Sequence, residues 1–243
     1  MKFELTYKPY GQYAILVEWP AVINPDILAD VLRFKSKLVC SEIRNIVEVR
    51  QAYQSLLVIY NRFELGFHDE VALLKSVYVS KNQSVTLKST LWKVPVCYDI
   101  QFGIDLESIS KVKKIPITDI IELHSQSVYT VYFIGFLPGF MYLGGLNKKL
   151  AMPRKSVPRL QIQKGSVAIG GSQTGVYPSD SPGGWNIIGN SPVDFFNKNK
   201  ERPCFASAGD RIKFCPVSLK EFKEIKILVN NKEYKMEGEV VDG

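Results

Sequence analysis

The stretch GSVAIGGSQTGVYPSDSPGGWNIIGNSP (residues 165–192) alternates short apolar runs with glycine, proline and serine. Short runs of this kind, separated by turn residues, are typical of a fold with many short β-strands. Gly183 and Gly184 stand directly before Trp185, the bulkiest side chain in the stretch. Glycine weakens a strand interior, so the pair indicates a close approach to the backbone, either by another part of the protein or by a ligand.

The pattern around this stretch predicts a β-barrel, closed or nearly closed. Further short strands are expected at 129–136 and 211–214, and two short helices at 105–113 and 118–125, the first capped by Asp105. Leu91–Tyr98 is predicted to be an edge or entrance strand, because Pro95 cannot donate a ladder hydrogen bond. Near the end, Ser218–Glu221 has the spacing of a capping box, and Ile225–Val229 is predicted to be a strand.

The first 85 residues predict a separate α+β unit. Aromatic and β-branched runs indicate four strands, and Asn24-Pro25-Asp26 is a helix start with a cap residue, proline and an acid in order. A second helix is expected from His68 to Val79, followed by a polar linker at Lys81–Ser84. The predicted fold class is therefore α+β, with an N-terminal domain over 1–85 and a β-barrel domain over 86–243.

Composition describes an ordinary soluble globular protein. The 243 residues are 46% hydrophobic and carry a net charge of +7. No apolar run reaches the ~18 residues of a membrane span, and the first residues lack a secretory apolar segment, so a cytoplasmic location is expected. No RNP, zinc-finger or basic-helix pattern accompanies the charge, which argues against a nucleic-acid partner.

The positive charge is concentrated between Val131 and Asn190. This segment holds six lysines and arginines but only one acid, Asp180, together with 11 of the 17 glycines. A basic, glycine-rich segment can present backbone N–H groups and cations to an anion. The same composition also suits a solvated surface loop.

Standard catalytic patterns are missing from the sequence. Two histidines and no GxSxG motif leave little for a serine hydrolase triad, and no clustered His, Cys and acids indicate a metal site. Gly170 to Gly175 has GxxxxG spacing, but Val176 and Tyr177 follow where a phosphate-binding loop needs Lys and Ser or Thr.

Individual candidates keep two interpretations each. Arg154 and Arg159 are five residues apart and so face opposite sides of a regular strand; one can bind a ligand while the other braces the fold. His124 lies late in a predicted helix, where it suits either a structural hydrogen bond or general acid–base catalysis. Trp185 and Tyr177 suit either core packing or a ligand wall.

Three long motifs in series indicate a family. GFLPGFMYLGGL (135–146), PRKSVPR (153–159) and the 165–192 stretch, in this order, resemble the KipI / allophanate hydrolase subunit 1 family. The resemblance is dense from Val94 to Phe214, and His124 falls where the family carries a histidine. Ile162-Gln163, Ser179-Asp180 and Asn190-Ser191 differ from the family's usual residues.

The resemblance implies a cyclophilin-like, carboxyltransferase subunit-like barrel behind a small α+β domain. It also implies work within a multi-subunit 5-oxoprolinase that opens 5-oxoproline to glutamate with ATP. The implied partners are a homologous barrel protein of the KipA/allophanate hydrolase subunit 2 type and a separate protein of the LamB/YcsF type. Two alternatives remain: an inhibitor of a sensor histidine kinase, and a component of urea or allophanate metabolism.

The motifs together define the expected site. The predicted substrate- or anion-binding residues are Arg154, Arg159, Gln173, Tyr177, Ser181, Gly183, Gly184 and Trp185. The predicted partner or pocket wall consists of Phe136, Pro138, Gly139 and Phe140. His124 is the candidate catalytic residue, ATP is the expected co-substrate, and no metal ligand is predicted.

Overall fold

The computed structural model of the protein describes residues 3–41, 43–64, 66–80 and 88–242. The chain divides into two compact units between Lys88 and Ser89. The stretch Lys81–Ser84, predicted as a linker, lies outside the described residues.

The first unit is a four-stranded antiparallel sheet with two helices. Its elements are β1 (Thr6–Pro9), β2 (Ala14–Glu18), α1 (Pro25–Val39), β3 (Ile46–Gln51), β4 (Ser55–Tyr60) and α2 (Phe67–Val79), and the strand order is β1-β2-β4-β3. Helix α1 begins where the sequence predicts, because the Asn24 side chain accepts a hydrogen bond of 2.7 Å from the Asp26 N–H. Alternate residues of β4 are buried, as expected for a strand with one face on a core.

The second unit contains two sheets and three α-helices. Its strands are β5 (Lys88–Val96), β6 (Val128–Ile134), β7 (Met141–Gly144), β8 (Arg159–Ile162), β9 (Ser166–Gly170), β10 (Gln173–Val176), β11 (Ser181–Gly183), β12 (Asn186–Asn190), β13 (Arg211–Pro216) and β14 (Glu237–Asp242). Its helices are α3 (Leu106–Lys113), α4 (Ile117–Gln126) and α5 (Leu219–Asn230), with a short 3-10 helix at Lys148–Leu150. The large sheet has the order β12-β9-β10-β7-β6-β13-β5-β14, and β8 pairs with β11 in a small second sheet.

The α+β class is confirmed, but the strand ladders do not form a closed barrel. In the described chain, β12 and β14 are the two ends of the large sheet. A single antiparallel bridge joins Cys97, directly after β5, to Asn190 at the end of β12, with both N–H···O distances 2.9 Å. The sheet therefore curls back far enough for one bridge, and not for a strand ladder.

Two predicted strands differ from the structure. The Ile225–Val229 segment lies inside helix α5, which begins at Leu219 after a complete capping box formed by Ser218 and Glu221. Once the cap starts a helix, the apolar residues of this segment continue it at helical spacing. Strand β5, predicted at an edge because of Pro95, is flanked by β13 and β14.

The large sheet has apolar residues on both of its faces. The main core lies on one face and includes Val94, Tyr129, Leu143, Ile169 and Phe214. A smaller aromatic cluster lies on the other, consisting of Phe140, Ile162, Ala168, Tyr177, Trp185 and Ile187. Side chains alternate along a strand, so neighbouring residues of β9 and of β12 contribute to different clusters. No helix in the described part of the chain is long and apolar enough to cross a membrane.

Candidate functional site

The small β8–β11 sheet lies over the aromatic cluster. Ile162 of β8 belongs to that cluster, and the register pairs Ile162 with Ser181 and Arg159 with Gly183. The chain between β10 and β12 thus leaves the large sheet to pair with β8, and then returns as β12. This excursion brings the glycine pair beside the 153–159 segment, which contains both candidate arginines.

Trp185 is a wall of the aromatic cluster. Its ring lies edge-to-face against Phe140, with centroids 5.5 Å apart at 89°, and only 4% of its surface is exposed. At Gly170, a Cβ atom would approach the indole to 2.5 Å, so the glycine there makes room for this ring. Tyr177 is buried in the same cluster, and burial raises the pKa of its hydroxyl. For both residues, core packing is the interpretation that fits the geometry.

Asp105 is the polar centre of this region. Its buried carboxylate accepts hydrogen bonds from both terminal guanidinium nitrogens of Arg159, at 2.7 and 2.9 Å. It forms an ion pair with Lys155 Nζ at 2.9 Å. It also accepts the backbone N–H of Ile187 at 2.7 Å. Burial acts to raise the pKa of this carboxyl, but the hydrogen bonds from Arg159, Lys155 and Ile187 outweigh burial and keep the pKa below its ordinary value.

Sequence reasoning missed this role of Asp105. The residue precedes α3 and was expected to cap that helix, but its side chain makes no capping hydrogen bond. The carboxylate instead turns toward β12 and the 153–159 segment. The sequence contains an acid at position 105 and an excess of cations after position 147. It does not indicate which cation pairs with Asp105.

Arg154 and Arg159 have different environments, and only Arg159 lies in a strand, at the start of β8. Arg159 braces the fold through Asp105. Arg154 is exposed, and its guanidinium carbon lies 5.5 Å from the centroid of the Trp185 ring. Within the described chain, no carboxylate lies within ion-pairing distance of Arg154.

The backbone around Arg154 is fixed on both sides. Met152 exchanges two hydrogen bonds with Gly171, of 2.7 and 3.0 Å. The carbonyl of Pro153 accepts from the Asn186 side chain at 2.9 Å, and the Lys155 N–H donates to the Gly184 carbonyl at 2.7 Å. Arg154 is therefore an exposed cation on a rigid backbone above an aromatic ring.

Gly183 and Gly184 differ in what lies close to their backbone. At Gly183, a Cβ atom would clash with the Tyr177 hydroxyl and lie 2.7 Å from Ile162 Cδ1, so the close approach is made by the protein itself. At Gly184, the nearest atom to a Cβ would be the Lys155 carbonyl oxygen at 3.4 Å, an ordinary contact. Gly184 thus borders the Arg154 segment without being sterically required there.

Other predicted binding residues are less accessible than expected. Ser181 is buried, and its hydroxyl has no hydrogen-bond partner among the described atoms. Gln173 is half-buried at the start of β10, paired in register with Gly170. Neither side chain is presented to solvent as Arg154 is.

The predicted partner or pocket wall of Phe136, Pro138, Gly139 and Phe140 has two exposed and two buried residues. Phe136 is 70% exposed and has a φ of 65°, a left-handed conformation that costs a bulky residue free energy. Pro138 is also exposed. Phe140 is buried in the aromatic cluster, and Gly139 is buried with a φ of 89°, so these two residues form internal structure and not a contact surface.

His124 lies in the main core with 0% exposure. Its Nδ1 is 2.8 Å from the Tyr98 hydroxyl, its Nε2 is 2.9 Å from the Thr174 hydroxyl, and its ring stacks on Phe214 at 4.8 Å. Burial lowers the pKa of the imidazole to about 3. A general acid–base role requires access to substrate, which this position does not provide, so the structural interpretation of His124 fits the geometry.

The two phenols near Arg154 do not supply a general base at neutral pH. Burial raises the pKa of Tyr142 and of Tyr177, while the nearby positive charge of Arg154 lowers it. Both phenols therefore stay protonated at neutral pH. In the described chain, no group of three or more His, Cys, Asp or Glu residues is arranged to hold a metal ion.

A family model for the carboxyltransferase domain, subdomain C and D, matches residues 5–206. The chain belongs to this carboxyltransferase-domain family. Its sequence is 34% identical over 227 residues to the 5-oxoprolinase B subunit of Bacillus subtilis, covering 89% of this chain and 94% of that protein. It is 40% identical over 171 residues to the 5-oxoprolinase B subunit of Haemophilus influenzae, covering 70% of this chain and 79% of that one.

Solved carboxyltransferase-type structures share the fold. The crystal structure of TTHA0988 superposes with a TM-score of 0.73 at 28% identity, over 84% of this chain and 40% of that longer chain. The urea carboxylase of Kluyveromyces lactis superposes with a TM-score of 0.81 at 19% identity, over 99% of this chain and 24% of that one. In both structures, the matched region is one part of a longer polypeptide.

His124 is expected to remain neutral at pH 5. Its folded-state pKa is about 3, while an unfolded histidine titrates near 6.5, so the folded state binds fewer protons between these values. The stability that depends on the neutral ring is present above pH ~6.5 and is lost as pH falls toward 3. NMR of the imidazole nitrogens measures the protonation state directly. Titration of His124 near pH 6.5 in the folded protein would contradict its burial.

Substitution of the two glycines should separate their roles. Gly183→Ala is expected to lower the free energy of unfolding by about 1–3 kcal/mol, because the added methyl group overpacks the cluster at Tyr177 and Ile162. Gly184→Ala is the matched control, and it should change that free energy by less than about 1 kcal/mol. Urea unfolding measures the free energy of unfolding of the two variants. Equal decreases in that free energy would show that the close contact at Gly183 does not cause the destabilisation.

Proposed function

We propose that this chain is the B subunit of a multi-subunit 5-oxoprolinase, which opens 5-oxoproline to L-glutamate with hydrolysis of ATP. The observation that carries the proposal is the similarity to a 5-oxoprolinase B subunit along nearly the full length of both proteins. The series of motifs from Gly135 to Pro192 falls inside the region matched by the family model, which supports the same assignment.

The reaction explains why an ATP-driven assembly is needed. Amide resonance makes the lactam carbonyl of 5-oxoproline a poor electrophile. Transfer of a phosphoryl group to the carbonyl oxygen, with ADP leaving, creates a good leaving group. Addition of one water at the same carbon, with the ring nitrogen leaving as an amine, opens the ring to an acyl phosphate, and a second water hydrolyses this acyl phosphate to glutamate and phosphate. Substrate, product and nucleotide are all anions, and the excess of cations between Val131 and Asn190 suits an anionic guest.

The nucleotide does not fit the described residues of this chain. The turn between β9 and β10 lacks the lysine of a phosphate loop, and no acidic cluster in the described ranges could hold the Mg²⁺ that accompanies ATP. We therefore assign ATP binding to a companion protein of the assembly.

The proposed companions are a homologous protein of the KipA/allophanate hydrolase subunit 2 type and a protein of the LamB/YcsF type. An exposed apolar set near the aromatic cluster supports a heteromeric assembly: Leu160 is 92% exposed, and Phe136 and Val157 are also largely exposed. Apolar side chains that project this far are typical of surfaces covered by a partner. The left-handed φ of Phe136 supports the same assignment, because such strain concentrates at functional contacts.

Reconstitution tests the proposal. This chain and the KipA-type and LamB/YcsF-type proteins from the same genome are purified separately and combined, and glutamate release from 5-oxoproline is measured. The full set is expected to release glutamate and ADP in equal amounts, whereas this chain alone, or the set without ATP, should release none. Absence of glutamate from the full set, while a reference 5-oxoprolinase is active in the same assay, would contradict the proposed function.

A further inference from the structure

We infer that Arg154 binds the carboxylate of the lactam substrate and is the residue of this chain that distinguishes the acid from its neutral analogues. The inference rests on the proposed function and assigns one of its two anions, the substrate and not the nucleotide, to a specific side chain.

First, Arg154 is a cation whose N–H groups have no acceptor among the described residues. Lys155 and Arg159 share the Asp105 carboxylate, and Lys164 pairs with Asp194 at 2.6 Å. Arg154 forms no ion pair with any described residue and donates no hydrogen bond to one. Its guanidinium lies over the Trp185 ring. An aromatic face attracts the positive charge but accepts none of the five N–H groups in the way a carboxylate does.

The second step is that Arg154 is held in place before a ligand arrives. Its backbone neighbours are tied to Gly171, Asn186 and Gly184 by hydrogen bonds of 2.7–3.0 Å. The Asp105 network fixes the other end of the same segment at Arg159. A pre-positioned guanidinium binds an anion with a smaller loss of conformational freedom than a free surface side chain. Lys148 and Lys149, which are also exposed, have no comparable aromatic support among the described residues.

The third step distinguishes a carboxylate from a phosphate. One guanidinium matches the charge and the two-oxygen geometry of a single carboxylate. A triphosphate carries several negative charges and is usually bound by a Lys, a Mg²⁺ ion and a row of backbone N–H groups. Arg154 instead lies over the Trp185 ring, and the two other cations of its segment, Lys155 and Arg159, are already paired with Asp105.

Carboxylate binding also positions the reacting bond. In 5-oxoproline the carboxylate and the lactam carbonyl are attached to the two carbons that flank the ring nitrogen. Because the ring is small and rigid, fixing the carboxylate on Arg154 limits the distance of the lactam carbonyl from the guanidinium, and the companion protein sets the rotation of the ring about its bond to the carboxylate. The exposed side of Arg154 then leaves that carbonyl open to the companion protein that supplies the nucleotide. Arg154 is thus a binding and specificity residue, and it takes no part in proton transfer.

The test compares acid and amide in the reconstituted assembly. The KM for 5-oxoproline and the inhibition constant of 5-oxoprolinamide, which replaces the carboxylate by a neutral amide, are measured for wild type and for Arg154→Met. The wild type is expected to prefer the acid, and Arg154→Met should lose roughly 10- to 100-fold of that preference through a raised KM. Arg154→Lys should recover part of it, because it restores the charge without the fork.

Lys149→Met is the matched control, since it removes one exposed cation from the same basic segment. It should leave the KM within about twofold of wild type. If Arg154→Met keeps the wild-type preference for the acid, or if it instead releases the companion proteins, the inference is overturned while the proposed function stands. If the wild-type assembly releases no glutamate, both are overturned.

Discussion

The buried carboxylate of Asp105 is the interaction on which this region depends. It joins three parts of the chain that are far apart in sequence: the start of α3, the 153–159 segment and strand β12. A buried charge is stable only when paired and hydrogen-bonded, and Asp105 meets this condition with four donors. The arrangement consumes Lys155 and Arg159 and leaves Arg154 as the cation of this segment that can meet a ligand.

Glycines of the two sheets make room for packed aromatic rings. Gly170 makes room for Trp185, Gly175 for Phe140, and Gly183 for Tyr177. These three contacts allow an aromatic cluster to form on the face opposite the main core. The basic, glycine-rich composition of this segment therefore has two structural causes. The glycines make room for aromatic rings, and two of the cations, Lys155 and Arg159, pair with Asp105. Fewer cations of this segment are therefore free of a carboxylate partner than the composition indicates.

Local patterns in the sequence are sufficient for much of the fold. The cap at Asn24, the capping box at Ser218 and the turn-rich strands of 165–190 all act over a few residues, and the structure contains each of them. The expected strand at Ile225–Val229 was wrong because a short apolar run fits either period, and the preceding cap decides it. The order of the strands, and the bridge that stands in place of a closed barrel, depend on long-range pairing.

The candidate site was less predictable than the fold, for a physical reason. Asp105 and Arg159 are 54 residues apart, and nothing in the spacing of either residue specifies the other. The spacing of Arg154 and Arg159 allowed them different roles, but it did not indicate which arginine would brace the fold. His124 and Phe140 were candidates because of their motifs, and burial places both in packed clusters. Burial is a property of the assembled sheet.

Asp105 and Arg159 stabilise this region as one coupled pair. A double-mutant cycle with Asp105→Asn, Arg159→Met and the double variant, followed by urea unfolding, measures that coupling. The two changes are expected to be non-additive by about 1–3 kcal/mol, because either one alone breaks the same buried contact. Effects that add to within about 0.5 kcal/mol would show that the two side chains act independently and are not a coupled pair.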